Sequence, residues 1–370
     1  MDRLDNLNSF HWLEVFFEYC LGNKPFIVSA AATEEWMARR EWVTEEGYPN
    51  LPTLKEKYGH LSVPVIVDGE CEPTHESLQE FIDYCSGPRN RLRYLKDWHF
   101  QESAGTDTYS LPPFLCPDWT NREPWTSTPL SPFHGADYRF VYFGVKDTWT
   151  RLHSDVVSSH SWSANVCGRK LWLFVQRGKE GLFMENGELI EDLRDRQSVW
   201  EEGGVFTVEQ NPGEIVFVPS NWHHQVHNLE DTISINHNVV NASNVHLVES
   251  FLISRLEDVR KEIEHLNGVF TPEEMREQEQ LILRADARLD FEGLSSLCQL
   301  VIESRMERGI EGCFVCPLHE DITQCRMGRN GCLSFPCECT SQTCEKCERL
   351  LGEFELSIAA IVLWRVNKVR

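Results

Sequence analysis

From residue 138 onward, apolar and polar positions alternate in short runs. This period of two predicts strands at 138–143, 161–166, 170–175, 214–218, 222–228 and 232–239. Turn residues punctuate them. Cys167-Gly168-Arg169 reads as a tight hairpin turn, and Asn211-Pro212-Gly213, Pro219-Ser220-Asn221 and Glu230-Asp231 divide the rest. Short strands at this spacing predict an antiparallel sandwich or barrel.

The chain on either side follows other periods. An amphipathic segment at 12–19, a short strand at 24–28 and helices at 34–42 and 77–85 predict an α/β part at the N-terminus. A proline-rich stretch from Pro112 to Pro132 reads as a long irregular connection. After Ser243 the period turns helical: Val248, Leu252, Leu256, Val259, Ile263 and Leu266 form one apolar stripe that Asn267-Gly268 ends. Thr271-Pro272-Glu273-Glu274 is a capping box opening a second helix, and a third is expected at 291–306. An apolar helix or strand closes the chain.

Composition narrows the partners. The 370 residues carry 58 acidic and 35 basic side chains, a formal net charge of −23. Such a surface repels phosphate backbones, which argues against nucleic acid and favours a basic protein segment as partner. No apolar run reaches the roughly 18 residues a membrane span needs, and no secretory signal is evident at the N-terminus. A cytoplasmic protein is therefore expected, its 14 cysteines being free thiols or metal ligands rather than disulfides.

Candidate chemistry starts at His153-Ser154-Asp155. In extended chain, residues two apart point to one side, so this pair can face a common point. A third ligand would come from the later Trp222-His223-His224-Gln225-Val226-His227. Two imidazoles and a carboxylate hold one face of a six-coordinate metal and leave three positions open, the pattern of non-haem Fe(II) oxygenases. The open positions would take 2-oxoglutarate and O₂. Lys170 could pair with the cosubstrate's distal carboxylate, and Thr150 offers it a hydroxyl. Without that ligand, the bland alternatives are a polar strand end for the His-x-Asp pair and a solvated strand end for Lys170.

Several ordered blocks carry a resemblance. They are Tyr94-Leu95-Lys96-Asp97-Trp98-His99, then Asp137-Tyr138-Arg139-Phe140-Val141-Tyr142, then Ser161-Trp162-Ser163-Ala164-Asn165-Val166-Cys167-Gly168-Arg169-Lys170. Phe217-Val218-Pro219-Ser220-Asn221-Trp222-His223-His224 and Asp231-Thr232-Ile233-Ser234-Ile235-Asn236-His237-Asn238 complete the set. The chain resembles the JmjC-domain Fe(II)- and 2-oxoglutarate-dependent oxygenases, in their lysyl-hydroxylase branch. The resemblance implies a double-stranded β-helix, with a catalytic domain at 1–245 and a helical region at 246–310. It implies iron ligands at His153, Asp155 and His224 rather than His223 or His227, and cosubstrate contacts at Lys170 and Thr150. Tyr94 and Asn238 match positions that help bind 2-oxoglutarate; Asn236 is a rival to Asn238, and Tyr94 could equally be a core tyrosine. The substrate implied is a lysine of a peptide-release factor. Demethylation of methyl-lysine and an inactive β-helix binding module are the alternatives. The C-terminal helices would pack on the core or form a homodimer contact.

The segment 311–370 stands apart. Cys313, Cys316, Cys344 and Cys347 form two CxxC pairs that could close a structural zinc site. The resemblance lends this cluster no support, and the alternative is a thiol-rich tail.

Overall fold

The computed structural model describes residues 1–5, 12–70, 72–104, 108–115, 117–121, 137–309 and 345–369. Its N-terminal part runs β1 (Asp2–Leu4), α1 (Trp12–Val15), β2 (Phe26–Val28), α2 (Met37–Glu41), α3 (Leu51–Tyr58), β3 (Ser62–Val67), β4 (Thr74–Ser77), α4 (Leu78–Ser86), β5 (Arg93–Trp98) and α5 (Phe100–Ala104). The β-rich middle follows as β6 (Arg139–Gly144), β7 (Trp149–His153), β8 (His160–Cys167), β9 (Lys170–Phe174), β10 (Met184–Glu185), β11 (Glu188–Leu189), β12 (Phe206–Gln210), β13 (Ile215–Val218), β14 (His224–Asn228) and β15 (Thr232–Val239). Among the described residues four helices follow: α6 (Val245–Glu262), α7 (Pro272–Ala287), α8 (Phe291–Glu307) and α9 (Glu345–Val369).

The strands build a nine-stranded sheet in the order β1-β2-β13-β8-β15-β6-β5-β3-β4 and a four-stranded sheet in the order β12-β9-β14-β7. From β6 to β9, and again from β12 to β15, successive strands alternate between the two sheets. That alternation is the double-stranded β-helix the resemblance implied.

It also corrects one expectation. Cys167-Gly168-Arg169 is not a hairpin turn: β8 lies in the large sheet and β9 in the small one, so the turn carries the chain from one layer to the other. Only glycine suits that corner. Gly168 has φ +73°, and a Cβ there would stand 2.2 Å from the carbonyl oxygen of Asp231.

Period-2 patterning explains how β15, inside the large sheet, is covered on both faces. On β15, Ile233 and Ile235 enter the main apolar core beside Phe81, Phe143, Trp162 and Phe217. Ser234, Asn236 and Asn238 alternate with them and face the space between the sheets. The polar side of this strand is thus turned inward, toward a cavity.

The helical stripe is absorbed at home. Val248, Leu252, Leu256 and Val259 of α6 and Ile263 just after it are buried within the chain, together with Leu283 of α7, Leu294 and Leu297 of α8 and Ile358 and Val362 of α9. Each such side chain contributes roughly 1.5–3 kcal/mol by leaving water. The capping box of α7 forms as expected, with Thr271 and Glu274 bonding reciprocally. On α9, buried Glu355 accepts from Arg305 Nε at 2.7 Å and from Trp119 Nε1 at 2.9 Å, tying the last helix to α8 and to the 117–121 segment. No described helix is long and apolar enough to cross a membrane.

Cys313, Cys316 and Cys344 lie outside the described residues, and of Cys347 only the backbone is described, at the start of α9. The described cysteines Cys20, Cys85, Cys167 and Cys298 are buried free thiols.

Candidate metal centre and cosubstrate cavity

The small sheet places two imidazoles side by side. His153 ends β7 directly opposite His224 at the start of β14, with ring centroids 4.3 Å apart. Asp155 does not lie on the strand, as the two-residue spacing suggested. It follows the strand end and precedes a 3₁₀ turn, Val156–Ser158, in which Val157 and Ser158 both take left-handed φ. Reversing the chain through two non-glycine residues in that conformation costs about 1–3 kcal/mol each, a burden typical of functional sites. Ligand atoms of His153, Asp155 and His224 all lie within 4.8 Å of one another.

The surroundings fix the chemistry of each donor. His153 Nδ1 sits 2.9 Å from the Arg151 carbonyl and His224 Nδ1 sits 3.0 Å from the Trp222 carbonyl. A carbonyl only accepts, so both Nδ1 atoms carry the proton and both Nε2 lone pairs stay free for a metal. Burial, reinforced by neighbouring His224, holds the His153 imidazole well below its ordinary pKa and so in the neutral, ligating form. Asp155 Oδ2 accepts from Ser161 Oγ at 2.6 Å, which orients the carboxylate. Trp172 stacks beside His224 with centroids 5.6 Å apart. Two neutral imidazoles and an oriented carboxylate fit Fe(II) with open positions.

Deeper in the same cavity, Lys170 is only 2% exposed. Its Nζ donates to Ser234 Oγ at 2.8 Å, and no carboxylate pairs with it among the described residues. Burial, with the charge of Lys96 added, pulls its pKa down to about 7. A ligand carboxylate would supply the missing counter-ion. Lys170 pairs in register with Asn228, whose side chain, with that of Thr150, hydrogen-bonds the hydroxyl of buried Tyr94. Lys170, Thr150 and Tyr94 therefore gather at one end. Gly144 permits this packing, because a Cβ there would stand 2.0 Å from Asn228 Nδ2 and 2.9 Å from Tyr94 Cε2.

The two rival asparagines both line the cavity, at different ends. Asn236 donates to Ser234 Oγ at 3.2 Å, beside Lys170. Asn238 pairs in register with Ser161, the partner of Asp155, and donates to Ser159 Oγ at 2.9 Å. His223 and His227 turn away: His223 Nδ1 is 3.7 Å from Glu180, and the His227 ring stacks on Trp149 at 5.6 Å.

Sequence reasoning named no role for Lys96, Tyr142, Ser161 or Trp172, which line the cavity, or for Ser234, which accepts from Lys170. Trp172 was open to inference, since it stands two residues beyond Lys170 on one strand. Lys96 was not, because no sequence pattern sets β5 beside the cavity.

Comparison with known proteins gives the family. A family profile described as "JmjC domain, hydroxylase" matches residues 140–239. The chain is 36% identical to the 2-oxoglutarate and iron-dependent oxygenase JMJD4 of Gallus gallus, over 84% of this chain and 77% of the relative. It is 35% identical to the human JMJD4 oxygenase, over 80% and 75%. The arginine-specific demethylase JMJ20 of Arabidopsis thaliana is 37% identical over 68% of this chain and 60% of its own length. Matches of this extent, on a β-helix with a two-histidine, one-carboxylate cluster between its sheets, mean that the chain belongs to the JmjC-domain 2-oxoglutarate- and iron-dependent oxygenases of the JMJD4 family.

Proposed function

We propose that His153, Asp155 and His224 hold the iron. In this reading the distal carboxylate of 2-oxoglutarate pairs with Lys170, with Thr150 and Tyr94 beside it. The reaction is hydroxylation of a protein side chain, a lysine of a translation release factor being the favoured substrate. The observation that carries this reading is Lys170, an ammonium buried without a carboxylate partner in the cavity that holds the three-ligand cluster. Keeping such a group costs stability, and a dicarboxylate cosubstrate that repays it is the physical reason to keep it.

Iron with 2-oxoglutarate and O₂ bound supplies the oxidising chemistry, with succinate and CO₂ as products. The protein's own residues position the reactants. The Arg151 and Trp222 carbonyls fix the imidazole tautomers, Ser161 aims the Asp155 carboxylate, and Trp172 covers one side of His224. A net charge of −23 suits a basic substrate segment. The buried free thiols suit the reducing cytoplasm expected from the sequence.

Demethylation, with methyl-lysine as the sequence-based alternative, is the second reading. It draws support from the relative named as an arginine-specific demethylase. A silent binding module is disfavoured, since all three ligand-type residues and Lys170 are present and converge. Incubation with iron, 2-oxoglutarate and release-factor peptides, read by mass spectrometry, separates these. Gain of one oxygen on lysine supports hydroxylation; loss of CH₂ from a methylated peptide supports demethylation. Without any 2-oxoglutarate turnover, the binding module is preferred.

A further inference from the structure

A second lysine enters the cavity and has no part in the scheme above. Lys96 lies on β5, where the pairing with β6 is irregular between Leu95 and Trp98. The next residue, Asp97, takes a left-handed φ of 58°. This irregularity brings Lys96 to the cavity wall beside Tyr94, Tyr142 and His153. Its Nζ lies 5.6 Å from the Tyr94 ring centroid and 5.7 Å from that of Tyr142, held by two aromatic faces. Both rings are anchored by their hydroxyls. Tyr94 is bonded by Asn228 and Thr150, and Tyr142 donates to Asp97 Oδ1 at 2.7 Å. The acid nearest in sequence, Asp97, thus bonds Tyr142 and reaches Lys96 only through its charge; Lys96 makes no ion pair among the described residues.

Some of the other lysines find carboxylate partners. Lys24, Lys55, Lys57 and Lys261, all on the surface, each meet a carboxylate. The two lysines of the cavity do not. Asp155 is the one carboxylate among its described lining residues, and it belongs to the metal cluster. Lys96 lines the same cavity as Lys170 at the closed end and His153 at the metal end. A single carboxylate at Lys170 would leave the second ammonium uncompensated; a dianion spanning the cavity compensates both.

We propose that Lys96 is a second cosubstrate contact, its ammonium pairing with the carboxylate that 2-oxoglutarate presents at the metal end while Lys170 pairs with the other. The proposal rests on the functional reading above, and the test keeps the two apart. Binding is measured by tryptophan fluorescence on protein loaded with redox-inert Zn(II), so no turnover intervenes. The probes are 2-oxoglutarate, with two carboxylates, and pentanoate, with one. Lys96→Met keeps the side-chain stem over the tyrosine faces and removes only the charge.

Lys96→Met is expected to weaken 2-oxoglutarate at least tenfold, the low end for a charge-assisted contact. Pentanoate should then change less than twofold, which also shows that the variant is folded. Lys96→Arg is expected to recover most of the loss, and Lys170→Met to weaken both probes. If Lys96→Met binds 2-oxoglutarate within twofold of the parent while Lys170→Met is impaired, the second contact is refuted and the functional reading stands. If the parent protein binds no 2-oxoglutarate, the functional reading itself falls.

Discussion

Thr150 and His153 leave the same strand and enter the same cavity although three positions separate them. His153 pairs with His224 and Thr150 with Val226, so β7 spends one residue more than β14 between the two pairs. A regular strand would set residues three apart on opposite faces. The extra residue is a β-bulge, which re-aims side chains beside functional sites. It joins the candidate iron site to the candidate cosubstrate site.

Removing the carboxylate tests the metal cluster directly. Asp155→Ala leaves two imidazoles in place and takes away the third donor. Iron content and 2-oxoglutarate turnover are expected to fall together, with the thermal unfolding transition little changed. Full turnover in this variant would remove Asp155 from the ligand set.

Lys170→Met carries two expectations of opposite sign. The 2-oxoglutarate requirement should rise by about 10- to 150-fold, matching the roughly 1.5–3 kcal/mol of a charge-assisted contact. Stability of the cosubstrate-free protein should hold or increase, because a buried ammonium without a carboxylate is removed. The pH sign follows: with a folded pKa near 7 against 10.5, the unfolded chain binds the extra proton between those values. Stability contributed through this group therefore rises with pH across that window, and the variant should lose the slope in urea titrations.

Gly144→Ala places a methyl group 2.0 Å from Asn228 Nδ2 and 2.7 Å from Thr148 Oγ1. The network that holds Tyr94 must shift to admit it. A loss of about 1–3 kcal/mol in unfolding free energy is expected, with weaker 2-oxoglutarate binding. Unchanged binding would mean that Tyr94 is core packing alone.

Acid should unfold the protein partly through His160. Its ring is buried; Ser220 N donates to Nδ1 at 2.9 Å, and Nε2 lies 3.0 Å from Ser243 Oγ. Protonation would set a hydrogen at Nδ1 against the Ser220 N–H. Burial, chiefly, holds the pKa down to about 3, so the unfolded chain takes up a proton below pH 6.5 that the native state refuses. Stability from this group is present at neutral pH and is lost as pH falls, by about 2 kcal/mol at pH 5. Urea unfolding at pH 7 and pH 5 checks this, since His160→Gln should show the smaller acid loss.

Much of the architecture was legible in the chain itself. The strands at 161–166, 214–218 and 232–239 and the stripe on α6 follow from local periodicity, because a period of two or of 3.6 reports which side of an element meets the core. Strands such as β3, β5 and β12 were missed. Their roles depend on which neighbours they pair with, and that is not written in their own residues.

The candidate ligand types, His153, Asp155 and His224, and the cosubstrate lysine Lys170 were likewise present as side-chain chemistry in an ordered pattern. Only the tertiary structure decided what they form together. It alone set β8 and β9 in different sheets, gave β7 its extra residue, and carried Lys96 from an unassigned strand to the cavity wall. Pairing across layers and irregularities of register are settled by contacts between segments far apart along the chain. Local sequence sets the face a side chain prefers, and the partner strand determines what that face meets.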